Sequence, residues 1–302
     1  MLCRLPSLLA FFIFAGLLTA CDEQSAPLQR VDKSETFVIA VNGPLHYFAT
    51  RLLDNDIKVR MLVPADTDPA QWQPSVEDVL QLQQAELILL NGAGYSSWLN
   101  KVSVIDSRLV LTSGAARDEW IELEGQLSHS HGPDGEHAHG GYAFTTWMDM
   151  NLAQIQATAV AKALRARWPE KQALIDGKLV ALLADIVDLD NGYMAAATRI
   201  QNRQLVYSHP VYQYFERRYE LPGLSLHWEP DLMPGDAQWS ELQRLTSEDI
   251  LFIWEAEPAV EITGRMSALG IEWVVLDPAA NLAENDWLAV QKKNVARLQQ
   301  RE

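Results

Sequence analysis

The sequence predicts an α/β protein of two lobes, each built on a parallel-type sheet, joined by one long rigid helix. Strand and helix patterns alternate with short connections from Thr36 to Thr112, and the same rhythm resumes from Leu205 to Leu276. Alternation of this kind marks a parallel sheet covered by helices on both faces. Between the two stretches, Leu174, Leu179, Leu182, Leu183, Ile186 and Leu189 recur at helical spacing behind Pro169. A helix running from Pro169 towards Ile200 would be about 45 Å long. That exceeds what one face of a small sheet needs, so it reads as a strut between lobes.

Taken in order, the chain opens with Met1-Leu2-Cys3-Arg4, an apolar run from Leu8 to Leu18, and Thr19-Ala20-Cys21. A positive start, a short apolar stretch and small residues before a cut site describe a secretory signal over residues 1–21. The run is too short for a comfortable membrane span. Leu18-Thr19-Ala20-Cys21 resembles a bacterial lipobox, which makes Cys21 the expected lipidated first residue of the mature chain. The other cysteine, Cys3, lies inside the signal, so any metal site must be built from nitrogen and oxygen ligands. Residues 22–35 are polar and read as a tether.

In the first lobe (36–150), Thr36–Val41, Val59–Val63, Glu86–Leu90 and Arg108–Thr112 are strand-like. Helices follow from Leu45 to Leu53, behind Pro44, and from Ser75 to Gln84, where Ser75 and Asp78 form a capping pattern. Residues 151–200 hold the alanine-rich helix Asn151–Arg167 and the strut. In the second lobe (201–302), Leu205–Tyr207, Leu224–Trp228, Ile250–Trp254 and Trp273–Leu276 read as strands. Helices are expected over Val211–Tyr219, Trp239–Leu245, Val260–Leu269 and Asp286–Leu298.

Composition narrows the function. A net charge of −16 over 302 residues leaves no basic stripe to replace phosphate counterions, which argues against nucleic acid. Four of the seven histidines, His129, His131, His137 and His139, fall in one loop over residues 129–141 as two His-x-His pairs. In extended chain each pair presents two imidazoles to one side, and imidazole binds zinc, copper and nickel. Gly132, Pro133 and Gly135 argue against a regular helix or strand there and predict a solvated loop. Ligands of open α/β sheets bind beyond the carboxyl ends of strands, which nominates His46 in the first lobe and His209, Glu229, Glu255 and Asp277 in the second. Bland readings stand beside these: His46 as packing at a helix start, Glu229 as a solvated turn residue before Pro230, and Glu255 and Asp277 as helix caps. His209, between a strand and a helix start, is the hardest to explain as structural. His227 falls inside the predicted Leu224–Trp228 strand and reads as packed or surface-exposed.

Several stretches together resemble the solute-binding proteins of zinc and manganese ABC transporters, over essentially the whole mature chain. They are Asn91-Gly92-Ala93-Gly94-Tyr95 with Trp98, then Ser208-His209-Pro210-Val211-Tyr212-Gln213-Tyr214-Phe215 with Tyr219, and Leu276-Asp277-Pro278. The resemblance implies two α/β lobes, a linking helix and a metal in the cleft between lobes. It also carries His209 and Asp277 over as ligands. The family's Asp-Pro-His before Tyr-Glu-Pro is here Asp68-Pro69-Ala70, and its second Asp-Pro-His is Ala143-Phe144-Thr145. Two usual histidine ligands are thus replaced by Ala70 and Thr145. Missing ligands are then expected from the His-rich loop, or from His46, Glu229 and Glu255.

The resemblance implies a lipid-anchored protein on the periplasmic or other extracytoplasmic side of a membrane. It implies capture of Zn²⁺, with Mn²⁺ or another divalent metal as alternative, and delivery to an ABC permease and its ATPase. Such a protein binds and is not an enzyme, and it is expected to act as a monomer. The alternatives are a metal chaperone or adhesin-like lipoprotein of the same fold, and a zinc-dependent hydrolase. The last is suggested by His129-x-His131 with Asp134 and His137, but no general base or nucleophile is placed beside them.

Overall fold

A computed structural model describes residues 35–65, 67–123, 127–130, 136–139, 141–245, 249–281 and 286–301. The predicted signal, Cys21, the tether up to residue 34, and His131 lie outside the described residues. Among the described residues, no helix is long and apolar enough to cross a membrane.

Two four-stranded parallel sheets form the lobes. The first comprises β1 (Phe37–Ala40), β2 (Lys58–Arg60), β3 (Leu87–Leu90) and β4 (Leu109–Leu111) in the order β2-β1-β3-β4. Its central strands read Phe-Val-Ile-Ala and Leu-Ile-Leu-Leu with every residue buried, the unbroken apolar run that a sheet covered on both faces requires. Helices α1 (Gly43–Leu53) and α2 (Val76–Gln84) make the crossovers. Asn42 caps α1 by accepting from the Leu45 amide, and Ser75 with Asp78 forms the expected capping box on α2.

The segment 129–141 departs from its expected loop. β5 (Leu127–Ser130) and β6 (Glu136–His139) pair as an antiparallel ladder with His129 opposite His137. The breakers Gly132, Pro133 and Gly135 stand between the two runs in sequence, so they do not interrupt either.

Helix α3 (Met150–Arg167) starts on Asp149, whose carboxylate accepts from the Asn151 and Leu152 amides. The strut is α4 (Gln172–Ile200), 29 residues without a break and so about 43 Å long. Its first half is tied to the first lobe, by Asp185 with Arg51 and by Lys178 with Asp54. Its second half is tied to the second lobe, by Asp190 with Arg218 and by Tyr193 donating to Gln291.

The second lobe holds β7 (Gln204–Tyr207), α5 (Gln213–Tyr219), β8 (Gly223–Ser225), α6 (Asp236–Leu245), β9 (Ile250–Trp254), α7 (Val260–Ala268), β10 (Glu272–Val275) and α8 (Trp287–Gln299). Its sheet has the order β10-β9-β7-β8, all parallel. β8 ends at Ser225, short of the predicted Leu224–Trp228 strand, so His227 lies beyond the sheet and is exposed.

The carboxyl ends of both sheets meet across the cleft through direct bonds. The Gly43 amide donates to the Ala280 carbonyl at 2.7 Å, and the Asn281 side chain donates to the carbonyls of Pro64 and Thr67 at 2.8 and 2.6 Å. The Trp147 indole donates to Pro278, and the Tyr214 hydroxyl to Ala143. One continuous core of buried residues runs through both lobes and α4.

Gly43 is required by this approach: a Cβ there would lie 2.6 Å from the Ala279 carbonyl oxygen, closer than real contacts permit. Gly43→Ala should therefore lower stability by about 1–3 kcal/mol, the usual cost of forcing extra volume into a packed site. Denaturant unfolding measures it; an unchanged midpoint would mean that the lobes are not fixed at this contact.

Candidate metal centre

The geometry of the site follows from the order of the strands. β7 lies between β8 and β9, and neighbouring strands are spaced about 4.8 Å apart. Residues leaving β7 are therefore flanked by residues leaving its two neighbours. The sheet bonding continues past the strand ends: Ser208 donates to Ile253, Leu226 to Tyr207, and Trp228 to Ser208, all at 2.8–2.9 Å. The Glu255 amide donates to the Ser208 hydroxyl at 3.2 Å, holding the exit of β9 against that of β7. Beneath, the Tyr207 and Tyr212 rings stack at 4.9 Å, and the Tyr212 hydroxyl donates to Leu276.

His209 emerges from this platform with its side chain 7% exposed. Its Nδ1 lies 2.9 Å from Oε1 of Glu255, and its Nε2 lies 3.4 Å from Oε1 of Glu229. The His227 ring packs edge-on to it with centroids 6.1 Å apart. Donor atoms of His209, Glu229 and Glu255 all fall within 4.8 Å of one another, the one such group of His, Cys, Asp and Glu among the described residues. A nitrogen and two carboxylate oxygens at this spacing fit a divalent transition metal. Burial on its own would lower the His209 pKa. The contacts with Glu229 and Glu255 outweigh burial and hold the imidazole at about 10.

Asp277 and His46 stand outside this group. Asp277 leaves β10, two strand spacings from β7, and its carboxylate accepts the Ala279 amide at 2.7 Å while its backbone is clasped by Asn294. The ring of His46 lies on α1 with Nε2 3.2 Å from the Val59 carbonyl of β2, and burial lowers its pKa. His129, His137 and His139 are on the β5–β6 ladder. Glu229 leaves a strand adjoining β7, as the strand-end rule required of a candidate beside His209.

At the two positions where the resemblance led one to look for histidines, the side chains have other work. The Thr145 hydroxyl donates to the Val211 carbonyl at 2.5 Å. Ala70 is buried where the Asp68 carboxylate accepts its amide, at the edge of a pocket of about 820 Å³ lined also by Gln71, Gln73, Tyr95 and Tyr142. Nearby, buried Asn91 gathers a polar network: it donates to Phe144 at 2.8 Å and accepts from Thr146 and Gln156 at 3.1 and 3.0 Å. Gly92, Ala93 and Gly94 after it all have positive φ, which two glycines make tolerable.

A family model described as ZnuA, zinc-uptake complex component A periplasmic, matches residues 38–301. Zinc-binding lipoprotein AdcA of Streptococcus pneumoniae (strain ATCC BAA-255 / R6) is 24% identical over 310 residues, covering 97% of this chain and 60% of that protein. The chain thus spans well under two thirds of that relative's length. Manganese ABC transporter substrate-binding lipoprotein PsaA of Streptococcus pneumoniae is 27% identical over 237 residues, covering 75% of this chain and 72% of PsaA. Among solved structures, the metal-dependent lipoprotein YcdH from Bacillus subtilis superposes with a TM-score of 0.75 at 17% identity, covering 88% of this chain and 99% of that one. The last comparison speaks for the fold alone.

The His209 contacts imply a pH dependence for the metal-free protein. Below the ordinary value of 6.5 the imidazole is charged whether the chain is folded or not, so the stabilisation is fully present. Between 6.5 and about 10 only the folded chain keeps the proton, so stability is lost as pH rises. The thermal midpoint of chelator-treated protein should fall across this window more steeply than that of His209→Gln. Equal slopes in the two proteins would contradict the described ion pairs.

Proposed function

From the premise that the chain belongs to the zinc-uptake complex component A family, we propose that it is an extracytoplasmic receptor that captures Zn²⁺ and hands it to an ABC permease. The family is one of solute-binding proteins rather than enzymes, which sets aside the hydrolase reading. The observation that carries the proposal is the cluster of His209, Glu229 and Glu255 at the carboxyl ends of β7, β8 and β9. In an open α/β sheet this is the place where ligands bind.

Zinc is proposed first because an imidazole is at the centre of the cluster and four more stand in the 129–141 segment. Manganese is the alternative, supported by the two carboxylates and by the manganese-transport relative. The site is then built on His209 and the two carboxylates beside it. Asp277 and His46 are set back from it by their bonds to Ala279 and Val59. His129, His131, His137 and His139 act as an accessory collector. Lipidation of Cys21 would hold the receptor at the membrane surface, within reach of the permease and its ATPase.

Calorimetric titration of the full mature protein with Zn²⁺ and Mn²⁺ tests this reading. The wild type should show one tight equivalent that His209→Ala weakens by more than about 100-fold, beyond the 10–100-fold typical of outer-shell losses. Replacing all four histidines of residues 129–139 by glutamine should remove only weaker equivalents. Tight binding that survives His209→Ala would sink the proposal.

A further inference from the structure

We infer that Glu229 is a direct metal ligand beside Nε2 of His209, and that Glu255 is a positioning residue acting on the opposite ring nitrogen. This rests on the proposal that the cleft binds metal at His209 and goes on to assign the roles.

The two acidic residues meet different nitrogens of one ring. The lone-pair directions of Nδ1 and Nε2 diverge, so one ion can use only one of them. Nδ1 lies 2.9 Å from the Glu255 carboxylate, an ion-pair contact that falls outside hydrogen-bond geometry. A carboxylate this close to the far nitrogen of a ligating histidine favours the proton there and leaves the other nitrogen's lone pair outward. Nε2 is then the metal-facing atom, and the Glu229 oxygen is 3.4 Å from it. Two donors each about 2.0–2.1 Å from one tetrahedral zinc are about 3.3 Å apart. The spacing therefore suits co-ligation of one ion with little movement of either group.

The strands make the division of labour durable. Glu255 directly follows β9, and its amide is bonded to Ser208, so its carboxylate is fixed relative to the ring. Glu229 stands four residues past β8, directly after Trp228, whose amide is bonded to Ser208, and its side chain is 32% exposed against 27% for Glu255. With alanine at position 70 and the Thr145 hydroxyl committed to Val211, the carboxylate of Glu229 supplies charge that additional imidazoles would not. An oxygen-richer centre discriminates less between zinc and manganese than an imidazole cage does.

The test uses the full mature chain with His129, His131, His137 and His139 changed to Gln, titrated with Zn²⁺, Mn²⁺ and, as a spectroscopic probe, Co²⁺. Circular dichroism and thermal midpoints establish that each variant is folded. Glu229→Gln should weaken zinc and manganese more than about 100-fold and shift the visible Co²⁺ bands. Glu255→Gln should weaken them about 10–100-fold with the bands in place. Glu229→His should raise the zinc-to-manganese affinity ratio at least about tenfold, since it trades oxygen for nitrogen. Should Glu229→Gln fail to fold, Glu229→Asp gives the same reading through shifted bands. If Glu229→Gln binds like its parent while His209→Ala does not, this inference falls and the metal receptor stands. If His209→Ala also binds like its parent, the receptor proposal itself has failed. Loss with shifted bands in Glu255→Gln would make Glu255 a ligand and overturn the assignment.

Discussion

Which acidic side chains can reach His209 is decided by strand order. In the sheet β10-β9-β7-β8 the histidine leaves an inner strand, so a carboxylate stands on each side of it at one strand spacing. A swap of β8 with β10 would bring Asp277 beside the ring and send Glu229 away. The chemistry of the cluster is thus a consequence of backbone pairing, reinforced by the continuation of that pairing through Ser208, Leu226 and Trp228.

The rest of the molecule keeps this platform fixed against the other lobe. α4 is bound to both halves by ion pairs and buried hydrogen bonds, and the ends of the two sheets are bonded across the cleft. Two arginines of α5 reach Asp149, the cap of α3, and pair with its carboxylate. Burial raises the pKa of Asp149, and the Asn151 and Leu152 amides and the arginines act against that rise. The buried hydrogen-bond network on Asn91 adds rigidity at the same level, because each polar group in it would be costly to expose unpaired.

Much of the fold could be read from the residues, because its signals are local. The unbroken apolar strands, the Ser75 and Asp78 box and the long periodic run of α4 each specify their own element. Strand ends are set less locally, and the prediction overran β8 by three residues, placing His227 inside the sheet. The ladder of Leu127–Ser130 with Glu136–His139 departs from the expected loop because Gly132, Pro133 and Gly135 fall between its two runs in sequence rather than inside either. At the site, the strand-end rule nominates His209, Glu229 and Glu255 along with Asp277, but which of them come together depends on which strands are neighbours. Order within a sheet is a property of the whole chain, and no spacing in the sequence states it. His46 and Asp277 were nominated by the same strand-end rule, and their sequence positions could not reveal their bonds to Val59 and Ala279.

The proton on His209 has a consequence for the charge of the site. Without metal, the imidazolium stands between two carboxylates and the cluster carries one net negative charge. Were a divalent ion to displace that proton, the same three side chains and the ion would sum to zero. Lobes pinned together by Gly43, Asn281 and Trp147 offer little change of shape to recognise. Occupancy of this cluster by a divalent cation would therefore register as a change of charge rather than of shape.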